Sequence, residues 1–453
     1  MSDRGLVRRL RDALWGRPAP AVRPTARPQI GLPEMLGAVG AALLGSSRAT
    51  SAVERILHEL SSAYGRDDVQ SFVLPTLVLV EDPSAGSHRT ELFPATHGDL
   101  RLDQAGAVER LIERARTQRM PPADVVRELE RIRATPPRFT AVTMILGHAL
   151  LTVGFGLVLD PVALALPFYA VLGAIVGTVV VLTSRFAQLS LVLPVLIPFG
   201  ITLGTGLLVA PLIGDDPIRL VAPALVSLLP GLTLTLAAVE LTSNQVVAGA
   251  SRMVYGFARL GLLVFGVFAA ISILGVHPAE NPLPPLGAWA PWAGVLLTAI
   301  GYTLFSVAPR GAFPWIVVSL VVAYGAQVLG ALAIGAQLSG FVGAVVVIVV
   351  VGLLRRIPAA PPSAVMLMCA YWLLVPGALG FIGLSRVAEG TDGAGAADLV
   401  VGTLVSLVSI ALGMVVGAGM TREVDVVARG WRRVARVRSS GDAPAPGAEP
   451  PPR

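Results

Sequence analysis

At 453 residues the chain is 54% hydrophobic and only 14% charged, where an ordinary soluble domain carries about 25% charged residues. The deficit falls after about residue 139, which excludes a wholly soluble fold and predicts an all-α polytopic membrane protein with a small soluble part. The formal charge of +6 comes entirely from Arg, gathered at segment ends and in the tails, so it reads as membrane topology and argues against nucleic acid as a partner.

In chain order, residues 1–30 read as a disordered basic tail. "RRLRDALWGRPAPAVRPTARP" lacks the apolar run of a secretory signal. Residues 31–138 have the composition of a small α/β domain. "MLGAVGAALLG" is too short to span and reads as a soluble-domain helix. "SAVERILHELSSAY", "AGAVERLIERARTQ" and "PPADVVRELERIRA" have helical spacing, while "SFVLPTLVLV" and "HRTELFPA" read as strands. Glu54 and His58, four apart on one helix, are a weak metal signal, and no metal or other cofactor is expected. No G-x-S-x-G elbow, H-E-x-x-H or phosphate-binding glycine loop is present, so neither an enzyme nor ATP drive is expected.

Ten apolar segments follow, at about 139–159, 162–183, 189–213, 218–240, 253–276, 289–308, 313–334, 338–354, 363–384 and 396–420. Most reach the roughly 20 residues needed to cross the hydrocarbon core. Arg185, Arg252, Arg310, Arg355 and Arg356 fall in alternate connections, with only Arg219 and Arg386 opposite. The positive-inside rule then puts the soluble domain and both termini in the cytoplasm of a plasma (inner) membrane protein. Residues 421–453 form a basic, then Pro-rich, cytoplasmic tail. The single cysteine, Cys369, lies in an apolar run and excludes an intrachain disulfide.

Two of the segments are interrupted. "LVSLLPGLTLTL" and "YWLLVPGALGFI" each carry a Pro-Gly pair, Pro230–Gly231 and Pro376–Gly377, 146 residues apart (230 to 376). The same offset carries the fifth segment onto the tenth, so residues 139–276 and 289–420 read as two five-helix repeats. Five being odd, the second copy is inverted in the membrane. Proline removes a backbone donor and frees carbonyls about a turn earlier. In lipid each unpaired peptide group costs several kcal/mol, so such a break must face protein or a watery cavity. Free carbonyls on one half-helix attract cations, and free N–H groups on the other attract anions.

"SSRATSAVERIL", "SFVLPTLVLVED" with "HRTELFP", "LERIRATPPRF", "LLPGLTLTLAAVELTSNQVVAGASRMVYG" and "YWLLVPGALGFIGL" follow one another in this order over about 31 to 420. In these stretches and their placement the chain resembles the threonine/serine exporter (ThrE) family. The resemblance implies a cytoplasmic N-terminal domain, ten spans in two halves, and export of threonine and serine driven by the proton motive force. Ser227, Pro230, Gly231, Thr233 and Thr235 at the first break, with Pro376 and Gly377 at the second, would then bind cargo, the hydroxyls recognising a substrate hydroxyl. His148 in the first span and Glu240 at the end of the fourth are the candidates for proton coupling. Glu240 can also form a structural pair with Arg252 or Arg259. The partners expected are threonine or serine, protons and the lipid bilayer. Gly173/Gly177, Gly200/Gly204 and Gly413/Gly417 have the spacing for close helix contact, within one subunit or in a homo-oligomer. Two rival readings stand beside the first, a dicarboxylate exporter of the same fold and a membrane sensor or scaffold with a cytoplasmic output domain.

Overall fold

The computed structural model describes residues 30–83, 89–95, 100–159, 162–183, 192–213, 217–275, 284–374, 381, 385, 401–402 and 404–421. The two tails, Pro376–Gly377, Arg185, Asp215, Asp216, Arg386 and Asp392 lie outside these residues.

The N-terminal portion opens with α1 (Leu32–Leu44) and α2 (Thr50–Ala63). A three-stranded antiparallel sheet follows in sequential order: β1 (Gln70–Leu74), β2 (Leu77–Asp82) and β3 (Arg89–Pro94). Helices α3 (Leu102–Gln118) and α4 (Pro122–Ala134) complete it. The single strand expected over "SFVLPTLVLV" is instead a hairpin, with Leu74 paired to Leu77 across Pro75 and Thr76. Pro75 has no N–H to give a ladder, so the strand stops there and folds back. Strand alternation then buries Val73, Val78 and Val80 against Leu36, Leu57, Leu111 and Leu129, while Phe72 and Leu92 are exposed. Helix α1 is apolar because it lies in this core. At 13 residues it is about 20 Å long, too short to span a bilayer.

After residue 139 every element among the described residues is helical. Among the described residues, six helices are long and apolar enough to cross a membrane: Ala141–Leu159 (α5), Ala163–Thr183, Leu193–Leu212, Val246–Leu274, Phe313–Ile334 and Leu404–Thr421. The second contains α6 (Leu166–Thr183), and the third is α7 (Leu193–Gly204) continued by a π-helical turn, Thr205–Val209. Shorter apolar helices lie between them: α8 (Pro217–Val221), α9 (Gly231–Thr242), α11 (Ala290–Phe305), α13 (Ser339–Leu354) and α14 (Ser363–Leu374). The labels α10, α12 and α15 denote Val246–Leu274, Phe313–Ile334 and Leu404–Thr421. The fifth apolar helix begins at Val246 rather than about 253, because Arg252 is neutralised within it by Glu240. With 29 residues it is about 43 Å long and outreaches a hydrocarbon core of about 30 Å.

Between lipid-facing helices there is no hydrophobic drive to associate, and packing falls to small residues that let backbones approach. Helix α5 crosses α11 this way. A Cβ on Gly154 would lie 2.6 Å from Thr298 N, and one on Gly147 would lie 3.1 Å from Gly301 O. Gly294 in turn meets Gly154 O at 2.6 Å, and Gly301 meets Gly147 O at 2.7 Å. Moving seven residues along one helix moves the contact seven residues back along the other, so the two run antiparallel. Gly173 and Gly177 of α6 rest on Thr152 and His148 of α5, and Gly413 and Gly417 of α15 on Phe341 and Val345 of α13. These two expected glycine pairs therefore pack within the chain. Gly200 and Gly204 would meet nothing within 4 Å.

Candidate functional site

The fourth apolar segment is not one helix. Helix α8 tightens into a 3₁₀ turn, Ala222–Leu225, and α9 starts only at Gly231. Pro223 favours the tight turn, and Pro230, with no N–H to donate, becomes the residue before the new helix. Leu228 N donates to Leu225 O at 2.8 Å, and the first bond of the new helix runs from Leu234 N to Pro230 O at 2.9 Å. The amides of Gly231, Leu232 and Thr233 precede that bond and form the positive end of α9. The break is enclosed by protein. Leu225, Val226, Leu228, Pro230 and Gly231 are buried, Ser227 and Thr233 half-buried.

His148 brings a titratable group to this break. It is fully buried on α5, with Nδ1 2.8 Å from Gly173 O and Nε2 2.8 Å from Ser227 Oγ. A carbonyl can only accept, so Nδ1 carries the hydrogen, and in the neutral ring Nε2 accepts from the Ser227 hydroxyl. The Phe305 ring meets the imidazole edge-on at 4.9 Å and Gly177 packs beneath it, fixing its plane. Two expected residues, His148 and Ser227, are thus joined although 79 positions apart. The Thr235 hydroxyl is turned away, donating to Gly231 O at 3.0 Å.

Glu240 faces the N-terminal portion instead. Ala49, which precedes α2, offers no side-chain cap, and Glu240 Oε1 accepts from Thr50 N at 2.9 Å in its place. Its Oε2 lies 3.0 Å from Arg252 Nε, an ion pair out of line for a hydrogen bond. Gln245 donates to Glu54 at 2.9 Å, and Arg252 to Arg48 O at 3.3 Å. Glu54 also accepts from Val73 N, so its carboxylate serves this junction.

Comparison with protein families matches residues 34–274, more than half of the chain, to ThrE, described as "Putative threonine/serine exporter". The chain belongs to the ThrE family. The match runs from α1 to the end of α10 and so contains the break, His148 and the Glu240 junction. Neither curated proteins nor solved structures gave a match. ThrE proteins are membrane transporters, and six apolar helices of spanning length agree with that.

This ThrE chain also holds polar groups that its sequence did not single out. Thr202 near the end of α7 and Thr205, the first residue of the π-helical turn, are fully buried with no hydrogen-bond partner for their hydroxyls among the described residues. Threonine in an apolar span gives no signal by itself, although π turns gather at functional sites. Arg48 is the other. It pairs with Glu109, and burial, reinforced by the charge of Arg55, pulls its guanidinium down to about 10, still cationic at neutral pH.

Proposed function

We propose that this ThrE member is a secondary exporter of small polar amino acids, threonine and serine, in the plasma membrane with both termini cytoplasmic. The observation that carries the reading is the interrupted fourth span, enclosed by protein, with Ser227 against His148. Unpaired peptide groups inside a membrane are costly, and they persist where they meet polar cargo. The amides of residues 231–233 take the carboxylate, carbonyls ahead of Pro230 take the ammonium, and Ser227 and Thr233 offer hydroxyls to the cargo side chain.

Ten spans in two inverted repeats, 139–276 and 289–420, behind a cytoplasmic domain of 31–138, are part of the same proposal. Helix starts support it. Leu193 and Ser339 stand 146 residues apart (193 to 339), as do Pro217 and Ser363 (217 to 363). Contacts support it as well. Gly147 and Gly294 are 147 apart (147 to 294), as are Gly154 and Gly301 (154 to 301), and the four exchange partners across the antiparallel crossing. Gly266 meets Val195 O as Gly413 meets Phe341 O. A reciprocal contact of this kind is what a twofold axis perpendicular to the helices produces, and in a bilayer that axis lies in the membrane plane.

Proton drive enters through His148. While the ring is neutral, Nε2 accepts from Ser227. Protonation reverses that bond and adds a positive charge that opposes a cargo ammonium, so proton and cargo compete, as an antiporter requires. The test is flux. Proteoliposomes loaded with labelled threonine, serine or succinate and given a pH gradient should lose threonine and serine faster than empty-vesicle controls. Gly231→Leu, which places a side chain at the start of α9, should reduce that flux by an order of magnitude or more. Succinate as the only cargo moved would replace the zwitterion with a dicarboxylate, and no flux of any cargo would end the transport reading.

A further inference from the structure

A cavity of about 680 Å³ lies where the N-terminal portion meets the membrane helices. One wall is the turn between α1 and α2 with the first turns of α2. The others are the ends of α9, α14 and α15 nearest that portion, including Leu236 and Val239 on α9 and Tyr371 on α14. It therefore sits between the helix that leaves the first break and the helix that carries "YWLL" towards Pro376 in the sequence.

Its chemistry is one-sided. The charged residues in its wall are Arg48 and Arg55, both cationic, accompanied by five serine hydroxyls (Ser46, Ser47, Ser51, Ser243, Ser363). Arg48 is held at the partition between this cavity and a neighbouring one of about 670 Å³ that contains its partner Glu109. Its Nε is buried and has no hydrogen-bond partner among the described residues. Ser47, which precedes Arg48, adopts a left-handed backbone, φ 53°, a conformation few non-glycine residues accept without a local reason. Glu240 already occupies the first amide of α2, so the positive character of the wall comes from the two guanidinium groups rather than from the helix end. Arg55 pairs with Glu59 at 3.9 Å, with its side chain 44% exposed.

We propose that this cavity is a vestibule on the side of the N-terminal portion that receives the carboxylate of a hydroxyl-bearing amino acid, held by Arg48 and Arg55, before the cargo reaches the break at Ser227–Gly231. The proposal rests on the exporter reading for the identity of the ligand, but its site is separate and can be tested apart from flux. The N-terminal portion is then part of the binding machinery, supplying charge that the membrane helices lack at this point.

Full-length protein in proteoliposomes, carrying Cys369→Ser and the reporter Ser243→Cys, is alkylated with N-ethylmaleimide. L-threonine and L-serine should slow the reaction about tenfold at saturation. Ethanolamine, which has the ammonium and hydroxyl without the carboxylate, should not. In the Arg55→Gln background, about tenfold more amino acid should be needed for the same protection, the loss expected of one charge-assisted hydrogen bond. Arg55 is exposed enough for this variant to fold, which an unchanged thermal midpoint of the purified protein checks. Protection is read as the ratio of rates with and without amino acid within each variant. Absence of protection, equal protection by ethanolamine, or indifference to Arg55→Gln overturns the vestibule. Flux without protection removes the vestibule and leaves the exporter, whereas protection without flux keeps the site and removes the exporter.

Discussion

His148 is restrained at both ring nitrogens, by Gly173 O and by Ser227 Oγ, and that decides what a substitution there does. Glutamine keeps a donor and an acceptor but cannot titrate. His148→Gln is expected to retain threonine counterflow between equal pools while losing accumulation driven by a pH gradient. A variant that still accumulates cargo against the gradient removes this residue from coupling. Glu240 belongs to the same scale. Its carboxylate is fully buried, and it holds both Arg252 and the first amide of α2. Removing one partner of a buried ion pair costs about 3–5 kcal/mol, because the other charge is stranded. Glu240→Ala should therefore lower the thermal midpoint of the purified protein sharply, and Glu240→Ala with Arg252→Met should recover part of the loss. Additive effects in that double-mutant cycle would show the two side chains to be independent.

Among the elements, the antiparallel crossing of α5 and α11 is set by glycines on both faces. A methyl group on Gly301 would strike the Leu151 backbone amide, and backbone cannot rotate aside as a long side chain can. Gly301→Ala should destabilise by about 1–3 kcal/mol through overpacking, whereas Gly200→Ala, with nothing within 4 Å, should be neutral or gain up to about 1 kcal/mol in helix propensity. Thermal unfolding of both variants in one detergent checks the contrast. The interrupted helix obeys the opposite logic. Its Pro and Gly do not fit a regular helix and set where it breaks, and the surrounding protein encloses that break, with Leu225 and Leu228 in one core with residues of α7, α10 and Phe381.

At the scale of the whole molecule, contacts that fasten the N-terminal portion to the helices include the Glu240 junction, Leu102 N to Ser306 O at 3.2 Å, and Arg138 to Ala308 O at 3.1 Å. Between the last two, Val307 takes a left-handed backbone, φ 54°, and is fully buried. This is unusual for a β-branched residue and needs the surrounding structure to hold it. The proposed inverted arrangement makes a sidedness prediction. In a Cys369→Ser background, Glu130→Cys and Ala359→Cys should be modified by an impermeant thiol reagent from one face of the vesicle, and Ala336→Cys from the other. Modification of all three from one face would leave no room for ten spans.

Composition and the length of apolar runs determined that this is a helical membrane protein with a small sheet, because the cost of burying charge in hydrocarbon is written residue by residue. Proline and glycine marked where the fourth helix gives way, since their effect on the backbone is local. Other features were not readable in one dimension. That Pro75 turns one apolar run into a hairpin depends on which residues β2 pairs with across the sheet. That His148 reaches Ser227, that Glu240 caps a helix 190 positions away, and that Arg48 faces a cavity between the N-terminal portion and the helices depend on contacts between distant segments. Those contacts are decided by packing, where a missing Cβ or a left-handed residue sets which surfaces can meet, and a sequence pattern carries no distance between one helix and the next.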